Sequence, residues 1–154
     1  MGVEIKRTDS DDPDFVGLVR HLDVELAERD GSEHSYYAQF NKIDMLRNVV
    51  VVCMDGKAVG CGAVKEFSPE EMEVKRMYTD PNVRGKGVAL AVLNELESWA
   101  RELGYTACVL ETGWRQPEAI ALYRKAGYQQ IPNYGQYIGM ENSVCFRKVL
   151  GPLN

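Results

Sequence analysis

Met77-Tyr78-Thr79-Asp80-Pro81-Asn82-Val83-Arg84-Gly85-Lys86-Gly87-Val88-Ala89 joins an apolar strand to an amphipathic helix through a basic turn with two glycines. A junction of this composition suits an anion. Gly85 and Gly87 let the backbone turn tightly and come close to a ligand. The first N–H groups of the following helix have no partner inside it, and the positive end of the helix dipole lies at the same place. Arg84 and Lys86 add side-chain charge of the same sign, so a phosphate is the favoured ligand. A solvated glycine-rich turn without a ligand has the same composition and is the alternative reading.

Two common phosphate loops do not fit. The segment has neither the G-x-x-x-x-G-K-[ST] spacing of a nucleoside-triphosphate loop nor the G-x-G-x-x-G of a dinucleotide fold. It does carry R-x-x-G-x-A, at Arg84, Gly87 and Ala89. That pattern resembles the pyrophosphate loop of the GNAT superfamily of N-acetyltransferases, which bind acetyl-coenzyme A. A second stretch, Gln116-Pro-Glu-Ala-Ile-Ala-Leu-Tyr-Arg-Lys-Ala-Gly-Tyr128, resembles the family signature N-x-x-A-x-x-L-Y-x-x-x-G-[FY], with Gln116 where Asn is usual. The resemblance covers residues 48 to 149; the N-terminal third fits the topology and carries no distinctive motif.

The whole chain sets broader bounds. Its 154 residues have the size of one domain, 1–154, large enough to bury a core without staples. With 45% hydrophobic and 27% charged residues and no long apolar run, it reads as a soluble protein with no membrane partner. The first residues lack the apolar core of a secretion signal, which points to the cytoplasm. Cys53, Cys61, Cys108 and Cys145 form no C-x-x-C pair and sit in apolar runs, so they read as small buried hydrophobes, with no metal site. A net charge of −5 argues against nucleic acid and suits a cationic amine better. The basic set Lys75, Arg76, Arg84 and Lys86 makes the expected field near the loop positive all the same.

Periodicity supplies the elements. Val3 to Arg7 alternates like a strand, and Phe15, Leu18, Val19, Leu22 and Leu26 mark a helix after Asp12-Pro13. Glu33 to Leu46 reads as a second helix. Val49–Met54 and Ala58–Val64 flank Asp55-Gly56, a strong hairpin signal. Glu71 to Thr79 is a strand, and the helix after the loop places Val88, Val92, Leu96, Trp99 and Leu103 on one face before Gly104. Ala107 to Glu111 is a strand, Pro117 to Ala126 a helix, Tyr128 to Ile131 a short strand and Val144 to Val149 the last strand. The class is α/β (α+β), and the order is that of the GNAT fold: a mixed, mostly antiparallel twisted sheet with helices on both faces.

The resemblance implies acetyl transfer from acetyl-CoA to a primary amine, on a small molecule or a peptide, by direct attack in a ternary complex. The pyrophosphate is expected on the backbone from Arg84 through Gly85, Lys86, Gly87 and Val88 to Ala89. The pantetheine arm is expected to pair with Met77, Tyr78 and Thr79 like an added strand, with an N–H there facing the oxyanion. Gln116, longer than Asn, stands where a polar contact to the cofactor is expected. Tyr123 matches the tyrosine that faces the thioester sulfur; a phenol of pKa about 10 protonating a thiolate of about 8.5 goes uphill by only about 2 kcal/mol. Its alternative is core packing beside Ala119, Leu122 and Ala126. Glu73 stands where histone-type members carry their general base, on the expected strand face of Lys75 and Met77. The alternative for Glu73 is an exposed strand-edge carboxylate paired with Lys75 or Arg76, and Glu66 is a second candidate base. His34 and Asp44 would border the acceptor pocket. A module that binds coenzyme A as sensor or scaffold without turnover is the rival from another class, and a homodimer is allowed.

Overall fold

The computed structural model describes residues 2–30 and 45–151. Its strands are β1 (Val3–Thr8), β2 (Asn48–Met54), β3 (Lys57–Ser68), β4 (Glu71–Thr79), β5 (Ala107–Gly113), β6 (Gln129–Ile131) and β7 (Ser143–Val149). They form one sheet in the order β1-β2-β3-β4-β5-β7-β6. Every pair is antiparallel except β4 with β5. The helices are α1 (Pro13–Asp30), α2 (Val88–Glu102) and α3 (Pro117–Lys125). The expected mixed, mostly antiparallel sheet with helices on both faces is what forms.

The valine run of β2 shows why the sheet is covered twice. Val49, Val51 and Cys53 pack with Phe15, Leu18 and Val19 of α1, whereas Val50 and Val52 join the cluster of Val92, Leu93 and Leu96 of α2. A strand buried on both faces carries an unbroken apolar run. The β2–β3 turn uses Asp55 at φ +53° and Gly56 at φ +83°, the left-handed pair that a two-residue hairpin needs. Helix α2 approaches the sheet closely because β3 offers glycine: a Cβ on Gly62 would lie 2.5 Å from Met77 Sδ and 2.9 Å from atoms of Val92 and Leu96.

β4 departs from simple alternation. Cys61 pairs with Tyr78 but Ala63 pairs with Lys75, so β4 holds one extra residue, and Arg76 takes φ +60° within that bulge. The side-chain order inverts there. Met72, Val74 and Met77 face the α2 cluster, and Tyr78 joins the α1 cluster. The expectation that Met77 shares a face with Glu73 and Lys75 is therefore corrected, because the bulge inserts one residue between them.

Leu103 is the second correction: it caps the C-terminus of α2 and is 50% exposed, beyond the last turn that packs on the sheet. The expected second helix falls mostly on residues 31–44, outside the described residues; Met45 and Leu46 approach β2 without helical structure. The four cysteines are free and buried. Glu97 of α2 is buried, takes a 2.8 Å bond from Lys148 of β7 and a 2.9 Å bond from the Tyr128 hydroxyl, and so ties α2 to the far strands. No helix among the described residues is long and apolar enough to cross a membrane.

Gly62→Val should lower unfolding stability by about 1–3 kcal/mol through overpacking against Val92 and Leu96, measured by urea unfolding. An unchanged midpoint would contradict the close approach of α2.

Candidate active site

The parallel ladder of β4 with β5 runs only from Glu71–Glu73 to Ala107–Val109. Beyond it the strands diverge, and the gap is a cleft of about 550 Å³. Parallel neighbours need a long crossover, here α2, and the loop that starts α2 closes one end of the gap. One edge of β4 from Val74 to Thr79 thus faces the cleft while its other edge is held by β3.

The loop has the features of an anion cradle. Gly85 and Gly87 both take φ +83° with open space where a Cβ would be, and Gly87 is the N-cap of α2 with no side chain capping the helix. The N–H groups of Val88 and Ala89 at the first turn precede the first bond back to Gly87, made by Ala91. Arg84 is more constrained than the sequence suggested. Its Nε donates to the Thr79 carbonyl at 3.0 Å and its Nη2 to Glu25 of α1 at 2.7 Å, so it bridges the loop to the opposite helix. Lys86 is exposed and stands outside the cleft lining, so the expected basic cluster is not assembled at the loop. Arg76 is tied to Asp23 of α1, and Lys75 lies beside Glu73.

Gln116 is the N-cap of α3; its side chain makes no cap and lies 3.5 Å from where a Gly113 Cβ would be, at the rim of the cleft. Tyr123 projects from α3 into the cleft wall, 5% exposed, with its ring edge-on to Tyr128 and tilted against Phe146. Packing and cleft lining therefore coexist at Tyr123. Burial, and then the negative charge of Glu111, push its phenol well above the ordinary range.

Glu73 is 4% exposed on a central strand, so the exposed strand-edge reading is corrected. It accepts a 2.7 Å hydrogen bond from the Tyr134 hydroxyl, and Lys75 Nζ lies 3.9 Å from its other oxygen. Arg76 pairs instead with Asp23 of α1 at 2.8 Å and leaves its buried Nε without a partner. Glu66 points away, taking a 2.6 Å bond from Tyr105, and does not line the cleft. Burial lowers the Lys75 pKa, opposed by Glu73. The sequence reading missed Glu111, which lines the cleft and accepts a 2.7 Å bond from Ser143, as well as Tyr134 and Tyr137. Glu111 interrupts the apolar run of β5, and that was the available signal; the two tyrosines lie in a loop without periodicity. His34 and Asp44 lie outside the described residues.

Comparison with known proteins points to one family. The sequence profile of the acetyltransferase (GNAT) family matches residues 15–128. An IAA acetyltransferase of Azospirillum brasilense is 34% identical over 126 residues, covering 79% of this chain and 81% of that one. A Klebsiella pneumoniae structure described as an acyl-CoA N-acyltransferase superposes with a TM-score of 0.81 at 29% identity, covering 97% of this chain and 98% of the other. The PaiA N-acetyltransferase of Thermoplasma acidophilum, solved in complex with coenzyme A, shares the fold at a TM-score of 0.69 and 18% identity, over 97% and 99% of the two chains.

Three buried tyrosines in and behind the cleft wall give a pH test. Burial raises the phenols of Tyr123, Tyr134 and Tyr137, the last two also beside Glu73. A raised acid keeps its proton in the native state after the unfolded chain has lost it, so stability is retained below about pH 10 and falls as pH rises past that value. Ultraviolet titration should show these phenols ionising only together with alkaline unfolding. Free ionisation of all tyrosines near pH 10 in the folded protein would contradict their burial.

Proposed function

Because this chain belongs to the acetyltransferase (GNAT) family, we propose that it transfers the acetyl group of acetyl-CoA to a primary amine, within one domain and without a covalent enzyme intermediate. The observation that carries the reading is the cleft that joins the Gly85–Ala89 cradle, the edge of β4 beyond its ladder with β5 and the Tyr123 wall. The cradle fits a pyrophosphate, because its open glycines and uncapped N–H groups offer donors at no steric cost. The β4 edge from Val74 to Thr79 offers a strand-like partner for the pantetheine amides. An acyl thioester supplies the activated carbonyl; the rest of the chemistry belongs to the protein.

In this reading Glu73 receives the proton of the acceptor, and an N–H of Met77 or Tyr78 faces the developing oxyanion. Glu73 is held by Tyr134 and Lys75, which fixes the carboxylate and lets an amine enter on its remaining side. The raised phenol of Tyr123 changes its expected part. Full proton transfer to a thiolate becomes costlier than for a free phenol, so Tyr123 acts chiefly by donating a hydrogen bond to the sulfur as negative charge develops there. Lys75, Glu111 and Tyr137 surround the acceptor end, which suits a small polar amine.

The purified protein, incubated with acetyl-CoA and a panel of amines and peptides, should release free thiol with at least one acceptor. Coenzyme A binding with no thiol release from any acceptor would instead make the chain a binding module. Tyr123→Phe should lower kcat by about 10²-fold with little change in coenzyme A affinity; equal turnover would remove its role at the sulfur. Gly87→Val places a β-branched side chain at φ +83° and should weaken coenzyme A binding at least about tenfold, read by calorimetry. Undiminished affinity would contradict the cradle.

A further inference from the structure

We infer that Lys75 is itself an acetyl acceptor: with an acetyl thioester in the cleft and no other amine present, the acetyl group passes to the Lys75 side chain. The inference rests on the acetyl-transfer reading above. Lys75 stands two residues past the last β4–β5 pair, on the stretch of β4 that borders the gap. Its side chain is 10% exposed and lines the same cleft as Met77 and Tyr123. Its Nζ lies 3.9 Å from a Glu73 carboxylate oxygen. An amine awaiting deprotonation belongs close to the base, and such contacts are longer before the reacting partner is bound. Lys75 thus occupies the position that a foreign acceptor amine has to reach.

Two further properties make this lysine a nucleophile. Burial disfavours its ammonium form, so the neutral amine is more populated than on a surface lysine. The fold also holds it beside the thioester site, replacing a bimolecular encounter by an intramolecular one. The step balances simply. The Nζ lone pair forms a bond to the thioester carbonyl carbon, the C–S bond breaks, the nitrogen yields a proton to Glu73, and the leaving sulfur, held by a hydrogen bond from Tyr123, takes its proton from solvent. The products are an amide at Lys75 and free coenzyme A. An amide there has lost the charge that faces Glu73 and fills the acceptor end, so acceptor turnover falls as the modification accumulates.

The test incubates the full chain with acetyl-CoA alone and follows it by intact mass and peptide mapping. The expected result is one acetyl group per chain at Lys75, ahead of exposed Lys57 and Lys86. Tyr123→Phe should slow it at least about tenfold, and prior unfolding of the chain should abolish the preference. Lys75→Arg should remove the fast phase; should that variant fail to fold, the map of the unaltered chain decides alone. Acetylation of Lys57 and Lys86 with Lys75 untouched would overturn the inference, as would equal modification of Lys75 in the unfolded chain. If amines are acetylated while Lys75 stays unmodified, the inference fails and the transferase reading stands. If coenzyme A binds but neither amines nor Lys75 are acetylated, both fail.

Discussion

The limit of the β4–β5 ladder to three residues on each strand is the constraint from which the rest of the site follows. Two parallel strands that stayed paired to their ends would leave no space between them. Here β3 keeps hold of β4 as far as Thr79, and β7 keeps hold of β5 as far as Gly113, so the two halves of the sheet are each complete and the gap lies between them. A ligand that excludes water from the gap has to offer hydrogen-bond partners to the backbone it covers, since orphaned main-chain polar groups are costly. A ligand with amides of its own meets that need. The helix that begins at one end of the gap adds its uncapped N-terminus, so the anion cradle and the strand edge are two consequences of one crossover.

The bulge at Arg76 is what gives this opening two chemically different sides. By adding one residue it sends Met77 toward α2 and leaves Glu73 and Lys75 on the face of α1. A left-handed φ at an arginine costs about 1–3 kcal/mol, and the surrounding sheet and the Asp23 contact hold it in place. The apolar wall with Tyr123 and the polar end with Glu73, Glu111 and Tyr137 therefore meet across one cleft. In the proposed transfer, Tyr123 serves the sulfur and Glu73 the amine from these two sides.

Much of this was legible from residue order. The glycine pair at Gly85 and Gly87, the Tyr123 signature and the unbroken valines of β2 each reflect a local rule that the fold obeys: left-handed backbone, helix periodicity, burial on two faces. The bulge was not legible, because Arg76 carries no glycine to announce a positive φ, and its omission misplaced Met77. The burial of Glu73 was not legible either, since strand alternation shows a face and not what covers it. Its cover comes from Tyr134, about sixty residues away in a segment with no period. The charge of Arg84 was overstated for the same reason: Glu25, its partner on α1, is a tertiary neighbour that no spacing reveals.

The central claim is that coenzyme A lies between β4 and β5, with its arm against β4 and its pyrophosphate on the α2 N-terminus. Amide hydrogen exchange with and without coenzyme A tests this most directly. The account predicts that protection rises in two places, along residues 74–79 and at 85–91, with β1 and β2 unchanged. Protection confined to other segments, or none at 74–79 under saturating coenzyme A, would contradict it.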